Sequence, residues 1–203
     1  MFRTLFRFRD RADIAVAAPG LAYAYKASLI GAAHRYELTD HGLAWRTGRR
    51  SGVWAYADIA TIRLSYRPMG MQQNRFRADV DHVDGRHITI FSTSKQTVAL
   101  MEPQAGYAGF IVNLHDKMAA VQSPAALRAG LRPGIYNTIV TVLALLALAM
   151  TALLVRAVWT GEWAGAAFVV AFSVLFAWQI RGFLRRNRPR SYTFVTVPGE
   201  LLR

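Results

Sequence analysis

The chain has 203 residues, 25 Lys and Arg against 12 Asp and Glu, a formal net charge of +13, and an apolar share of 53%. It contains no cysteine, which excludes disulfides, thiolate nucleophiles and cysteine-based zinc sites together and agrees with a cytoplasmic setting. A basic balance selects anionic partners. Because the densest arginine run directly follows an apolar block, the expected partner is the anionic headgroup layer of a lipid bilayer and not nucleic acid.

Residues 1–32 read as a basic N-terminal segment. Phe2, Leu5, Phe6 and Phe8 stand among arginines, a pattern equally compatible with lying along a bilayer surface and with a solvated terminus. Pro19, Gly20 and Lys26 interrupt the next stretch, so the segment lacks the continuous apolar core of a secretory signal.

Residues 33–121 read as a β-rich domain closed by one helix. Ile62, Leu64 and Tyr66 alternate with Thr61, Arg63 and Ser65. Phe76, Ala78 and Val80 alternate with Arg75, Arg77 and Asp79, and Ile88 and Ile90 with His87 and Thr89. Period-two alternation marks half-buried antiparallel strands. Strands are expected near 33–38, 43–47, 51–56, 60–67, 75–83, 86–92 and 96–101, with turns at Asp40-His41-Gly42, Gly48-Arg49-Arg50 and Asp84-Gly85. After Pro103, Tyr107, Phe110, Ile111, Leu114 and Met118 form the apolar stripe of a helix over 107–121, with Asp116 and Lys117 on its wet side. Residues 122–134, rich in Ala, Ser, Gly and Pro, read as a linker.

Residues 135–183 carry two apolar runs. Ile135 to Val155 is uncharged over about 21 residues, about 31 Å as a helix. Trp163 to Ile180 adds about 18 more, enough to cross the hydrocarbon core. The short connection between them makes the helices antiparallel neighbours. Trp159 and Trp163 mark one interface, and Tyr136 and Trp178 the other. Small residues recur at helical spacing, Ala144, Ala147 and Thr151 on the first run and Ala164, Ala167 and Ala171 on the second. They are expected to pack the helices together, or to join a neighbouring subunit. Neither run holds an Asp, Glu, His, Lys or Arg, which argues against an ion or proton path within the hairpin. Arg128 and Arg132 flank one end and Arg181, Arg185, Arg186, Arg188 and Arg190 the other. The positive-inside rule then puts both termini in the cytoplasm. Residues 184–203 read as a basic tail. Its five arginines are expected to contact anionic lipid. Pro189, Pro198, Leu201 and Leu202 are expected to dock the last dozen residues on the domain or on a partner.

Seven short strands followed by one amphipathic helix is the order of a pleckstrin-homology (PH) barrel. The segment from Tyr36 to Trp45 (YELTDHGLAW) resembles the first hairpin of bacterial PH-like domains, and Tyr56 to Ile59 (YADI) the short turn before their next strand. With the two apolar runs and the arginine-rich tail, residues 33–190 resemble a family of small uncharacterised proteobacterial membrane proteins. The resemblance implies an α+β membrane protein, a PH-like antiparallel β-barrel with a C-terminal capping helix followed by a transmembrane helical hairpin. It places the chain in the bacterial inner membrane and supplies no catalytic residues.

Other chemistry finds little support in the sequence. Asp79, Asp81, His82, Asp84 and His87 are spaced like a hairpin with a solvated acidic side. The third Asp and the Gly come one place late for a calcium loop, and Ile90 stands where its Glu would be. His34, His41, His82, His87 and His115 lack nucleophile partners at recognisable spacing, and no phosphate-loop or dinucleotide motif is present. Arg46, Arg49, Arg50, Arg63, Arg67, Arg75 and Arg77 form a candidate basic face of the barrel toward headgroups. The reading is a non-catalytic membrane-anchored binding or scaffold module without metal or cofactor, with a protein partner or a second copy of itself. The alternative is an accessory or assembly subunit of a larger membrane complex, docked through its hairpin.

Overall fold

A computed structural model describes residues 20–28, 32–68, 74–95, 101–103 and 105–202, the side chains of 101–103 excepted. The expected membrane-surface residues of the N-terminal segment, Phe2 to Phe8, lie outside the described residues, as do 96–100 of the expected seventh strand.

The architecture is mixed α+β. Strands β1 (Ala22–Tyr25), β2 (His34–Leu38), β3 (Leu43–Thr47) and β4 (Arg50–Trp54) form one antiparallel sheet in sequential order. The β2–β3 turn is tight. Thr39 Oγ1 donates to the Gly42 carbonyl at 2.8 Å and accepts the Gly42 N–H at 3.2 Å, and a Cβ at Gly42 would stand 2.1 Å from the Trp54 carbonyl oxygen. A one-turn 3₁₀ helix, Tyr56–Asp58, leads into β5 (Ile59–Tyr66), β6 (Phe76–His82) and β7 (His87–Phe91). The last two are joined through the expected Asp84-Gly85 hairpin. A small ribbon comes next, β8 (Thr93–Lys95) against β9 (Met101–Pro103), then α1 (Tyr107–Ala120), with the expected stripe buried and His115 buried beside it.

Among the described residues the two main sheets do not close into a barrel by a backbone ladder. Tyrosine hydroxyls bridge them instead. Tyr25 and Tyr36 donate to the Thr89 carbonyl at 2.7 and 2.9 Å, and Tyr23 to the Phe91 carbonyl at 2.6 Å. β7 is the outer strand of its sheet, so these donors satisfy carbonyls that an unpaired edge leaves open. Between the sheets, Leu43, Ile59, Ile62, Leu64, Val80 and Ile90 share one core with Phe110 and Leu114 of α1.

Three boundaries differ from expectation. Ala22–Tyr25, inside the supposed N-terminal segment, is a strand paired with β2. The supposed linker holds β10 (Ala126–Ala129), which pairs in parallel with β5 and so adds to the second sheet. The basic tail, of which only docking by its last dozen residues was expected, also contributes a strand, β11 (Arg190–Ser191), paired with β10. Its 3₁₀ turn Gly199–Leu201 then sinks Leu201 into the core at 0% exposure. The second sheet therefore runs β11-β10-β5-β6-β7.

Two long helices leave this body, α2 (Pro133–Trp159) and α3 (Trp163–Asn187). At 1.5 Å per residue they are about 40 and 38 Å long, more than the ~30 Å of a hydrocarbon core. Over an 18-residue stretch of each the mean hydropathies are 2.6 and 1.8 and almost none of that stretch is buried, so both are long and apolar enough to cross a membrane. The seam between them departs from the expected stripe. On α3, Ala166, Val169, Ser173, Phe176 and Ile180 recede from the surface, and on α2, Leu143, Met150, Leu154 and Ala157. Ala144, Ala147, Thr151, Ala164, Ala167 and Ala171 are all exposed. Five of them sit one or two positions off these receding residues and Ala147 three, while the seam itself mixes the small Ala157, Ala166 and Ser173 with bulkier side chains. Ala147 and Thr151 instead line an apolar groove of about 460 Å³ between the helices.

Candidate functional site

The arginines that gather do so where the second sheet meets the hairpin. Strand register aligns one row of residues across all five strands: Ser191, Arg128, Arg63, Asp79 and Thr89. Residues directly opposite in neighbouring strands share a face, so this row projects from the side away from Ile62 and Leu64. Ser65, Arg77 and Phe91 form the next row on that face, and Thr61, Asp81 and His87 the row on its other side. Arg67 comes just after the end of β5, and Arg132 caps the start of α2. Two adjoining recesses share Arg63. One, of about 240 Å³, is lined by Arg128, Arg190, Pro133 and Pro189. The other, of about 510 Å³, is lined by Arg67, Arg77, Arg132, Asp79 and Asp81, with Leu131 and Ile135 on the hairpin side.

Charge in this cleft is unbalanced. Arg77 is bound to Asp79, with Nε at 2.8 Å and Nη2 at 2.7 Å from Oδ1, and Thr89 Oγ1 donates to the same oxygen at 2.8 Å. Arg190 is ion-paired with Glu200. Among the described residues Arg63, Arg67, Arg128 and Arg132 form no ion pair. Burial lowers the Arg63 guanidinium below its ordinary range, and repulsion from Arg128 and Arg132 adds to this, with Asp79 and Asp81 opposing. Burial likewise lowers Arg67, with Arg77 adding. Both stay charged, since a guanidinium does not give up its proton in proteins. Arg67 Nε is enclosed without a hydrogen-bond partner among the described residues. The first turn of α2 holds no acidic residue and no side-chain cap, so the positive end of its dipole adds to the field.

The cleft is held by a clamp between sheet and hairpin. Asn187, the last residue of α3, is fully buried. Its Oδ1 accepts the Tyr66 N–H at 3.1 Å and its Nδ2 donates to the Tyr66 carbonyl at 2.9 Å. Its own carbonyl accepts the Leu131 N–H at 3.0 Å, and the Gly130 N–H donates to the Leu64 carbonyl at 2.7 Å. The start of α2 and the end of α3 are thus both tied to β5. A second tie holds the tail. His115 Nδ1 donates to the Ile111 carbonyl at 2.7 Å, which makes Nε2 the acceptor for the Tyr192 hydroxyl at 2.9 Å. Burial lowers the His115 pKa and raises that of Tyr192.

The residues singled out from sequence scatter. Arg181, Arg185 and Arg188 are exposed around the end of α3. The Arg186 guanidinium stacks over the Tyr66 ring, 4.8 Å from its centroid. Arg46 and Arg50 belong to the first sheet, with Arg49 in the turn between them, and Arg63 and Arg77 to the second, so the expected single basic face is split. Arg75 lies 4.2 Å from the centroid of the Phe91 ring. Arg128 and Arg132, which read as flanking charges, are the residues that complete the cleft. Their signal was the parallel pairing of β10, which period-two counting over four residues does not reveal. Within the segment read as a hairpin with a solvated acidic side, Asp84 accepts from Arg86 and pairs with His82, while Asp79 serves Arg77 and Thr89. The chain matches no protein-family model, and comparison with curated proteins and with solved structures finds nothing similar to it.

Proposed function

We propose that this chain is a non-catalytic, membrane-anchored binding module. Its α+β domain is held at the cytoplasmic face of a bacterial inner membrane, where it receives a protein partner or a second copy of itself. The observation that carries this reading is the clamp at Asn187 and Gly130 below two uncovered apolar helices. A domain tied this closely to two spanning helices is positioned at the bilayer and not merely tethered near it. A PH-like reading of the domain is supported by the strand order, four antiparallel strands and then β5 to β7, with a helix after them that is buried in the shared core. β10 and β11 are additions to that plan. The arginine flanks support cytoplasmic termini.

A second reading, an accessory subunit docked through its hairpin, draws on the open groove and the exposed small residues beside it. Purification of the full chain from its membrane in mild detergent, with the mass of the intact particle measured, tests both. A co-purifying protein or a defined oligomer is expected. A bare monomer at every detergent concentration would count against both.

A further inference from the structure

The cleft is better built for one compact anion than for a diffuse charged surface. Four arginines that form no ion pair among the described residues come from β5, β10 and the cap of α2 to two adjoining recesses, Arg128 lining the smaller, Arg67 and Arg132 the larger, and Arg63 both. Crowding like charges in a partly dry recess is unfavourable unless a counter-charge completes it. The two carboxylates do not fill that role, because Asp79 already holds Arg77 and Thr89, and Asp81 stands alone against the remaining arginines. Guanidinium forks match the spacing of phosphate oxygens and bind them in pairs. The mouth of the cleft carries Ile135, in the first turn of a helix long enough to cross a bilayer, so an apolar wall lies beside the charged one.

We propose that Arg63, Arg128 and Arg132 form a binding site for a single phosphate ester lacking a cation of its own, with Arg67 as the deeper fourth ligand. The headgroup of an anionic phospholipid is one source of that group and a soluble phosphate ester is the other. The lipid source rests on the membrane reading above, and the soluble source does not. The site is distinct from the exposed arginines at the end of α3, which lack an enclosed recess and offer only screened surface attraction.

The test uses the full chain in a neutral detergent. In one arm phosphatidylglycerol is added in mixed micelles, with phosphatidylcholine as the zwitterionic control. In the other, glycerol 3-phosphate is added with no lipid. Binding is read by thermal shift and by mass of the intact complex. The wild-type chain should bind in one arm or both. The Arg128→Gln/Arg132→Gln variant, changed only at exposed positions, should bind about tenfold or more weakly, the loss of about 1.4 kcal/mol. Arg63→Lys, which keeps the charge and loses the fork, should also weaken binding. Arg49→Gln/Arg50→Gln removes two exposed charges outside the cleft and should leave binding unchanged. Equal weakening by the two double variants would overturn the site, as would binding by none of the proteins in either arm. Failure of the membrane reading would show separately, as a wild-type chain that stays dispersed and monomeric without detergent.

Discussion

At Gly130 the backbone takes φ +82°, and a Cβ there would stand 2.4 Å from the Arg188 carbonyl oxygen and 2.5 Å from that of Asn187. The close approach lets the strand before α2 pass the end of α3. Gly130→Ala should therefore cost on the order of 1–3 kcal/mol from the dihedral alone, with a backbone clash added. Gly48, at φ +61° with nothing within 4 Å, is the comparison, and Gly48→Ala should cost only about 1–2 kcal/mol. Thermal unfolding of both variants in detergent checks this, and equal losses would deny the clamp. His115 makes a second residue-scale prediction. Its folded pKa is lowered, chiefly by burial, with the Ile111 carbonyl and Asp116 opposing. As the pH falls below about 6.5, the unfolded chain takes up this proton more readily than the native one, so stability is full above that pH and declines below it. The melting temperature should drop between about pH 7.5 and about pH 5.5, and His115→Phe should flatten that part of the profile. An unchanged slope in the variant would remove His115 as its source.

Among the elements, those with strong alternation were legible in the sequence and those with weak side chains were not. β5 to β7 and the stripe of α1 declare themselves through Ile62, Leu64, Val80, Ile90 and Leu114, all buried. β1 alternates only Tyr against Ala, and β10 points just Leu127 and Ala129 inward, so a strand of small residues read as segment or linker. The small-residue stripes of the hairpin are a different case: small residues permit close approach in lipid without requiring it, and here the expected ones are exposed while Leu143, Met150, Ala166, Val169 and Phe176 recede from the surface. The cleft was half legible, because its arginines stand out singly while their gathering depends on a parallel pairing and on the return of the tail. The role of α1 as the cover of the core can be measured. Leu114 is fully buried, and Leu114→Ala should cost roughly 2–5 kcal/mol. A full chain that tolerates the change with no loss of melting temperature would show that α1 does not close the core.

For the whole molecule, the ties at Asn187, Gly130 and Tyr192 join sheet, hairpin and tail, so the orientation of the domain is set by that of the helices. The arginine cleft then lies at the level where α2 begins, and the α2–α3 turn, with Trp159 and Trp163 strongly exposed, lies at the far end of the hairpin, which the proposed membrane reading assigns to the opposite interface. On the proposed membrane reading the domain and the turn therefore occupy opposite sides of one bilayer. The chain has no cysteine of its own, so single cysteines report position without background. Glu162→Cys marks the turn, Arg49→Cys the first sheet and Glu200→Cys the tail. A membrane-impermeant thiol reagent applied to intact spheroplasts should label the first and reach the other two only after permeabilisation. Labelling of Glu162→Cys and Arg49→Cys from the same side would contradict the account.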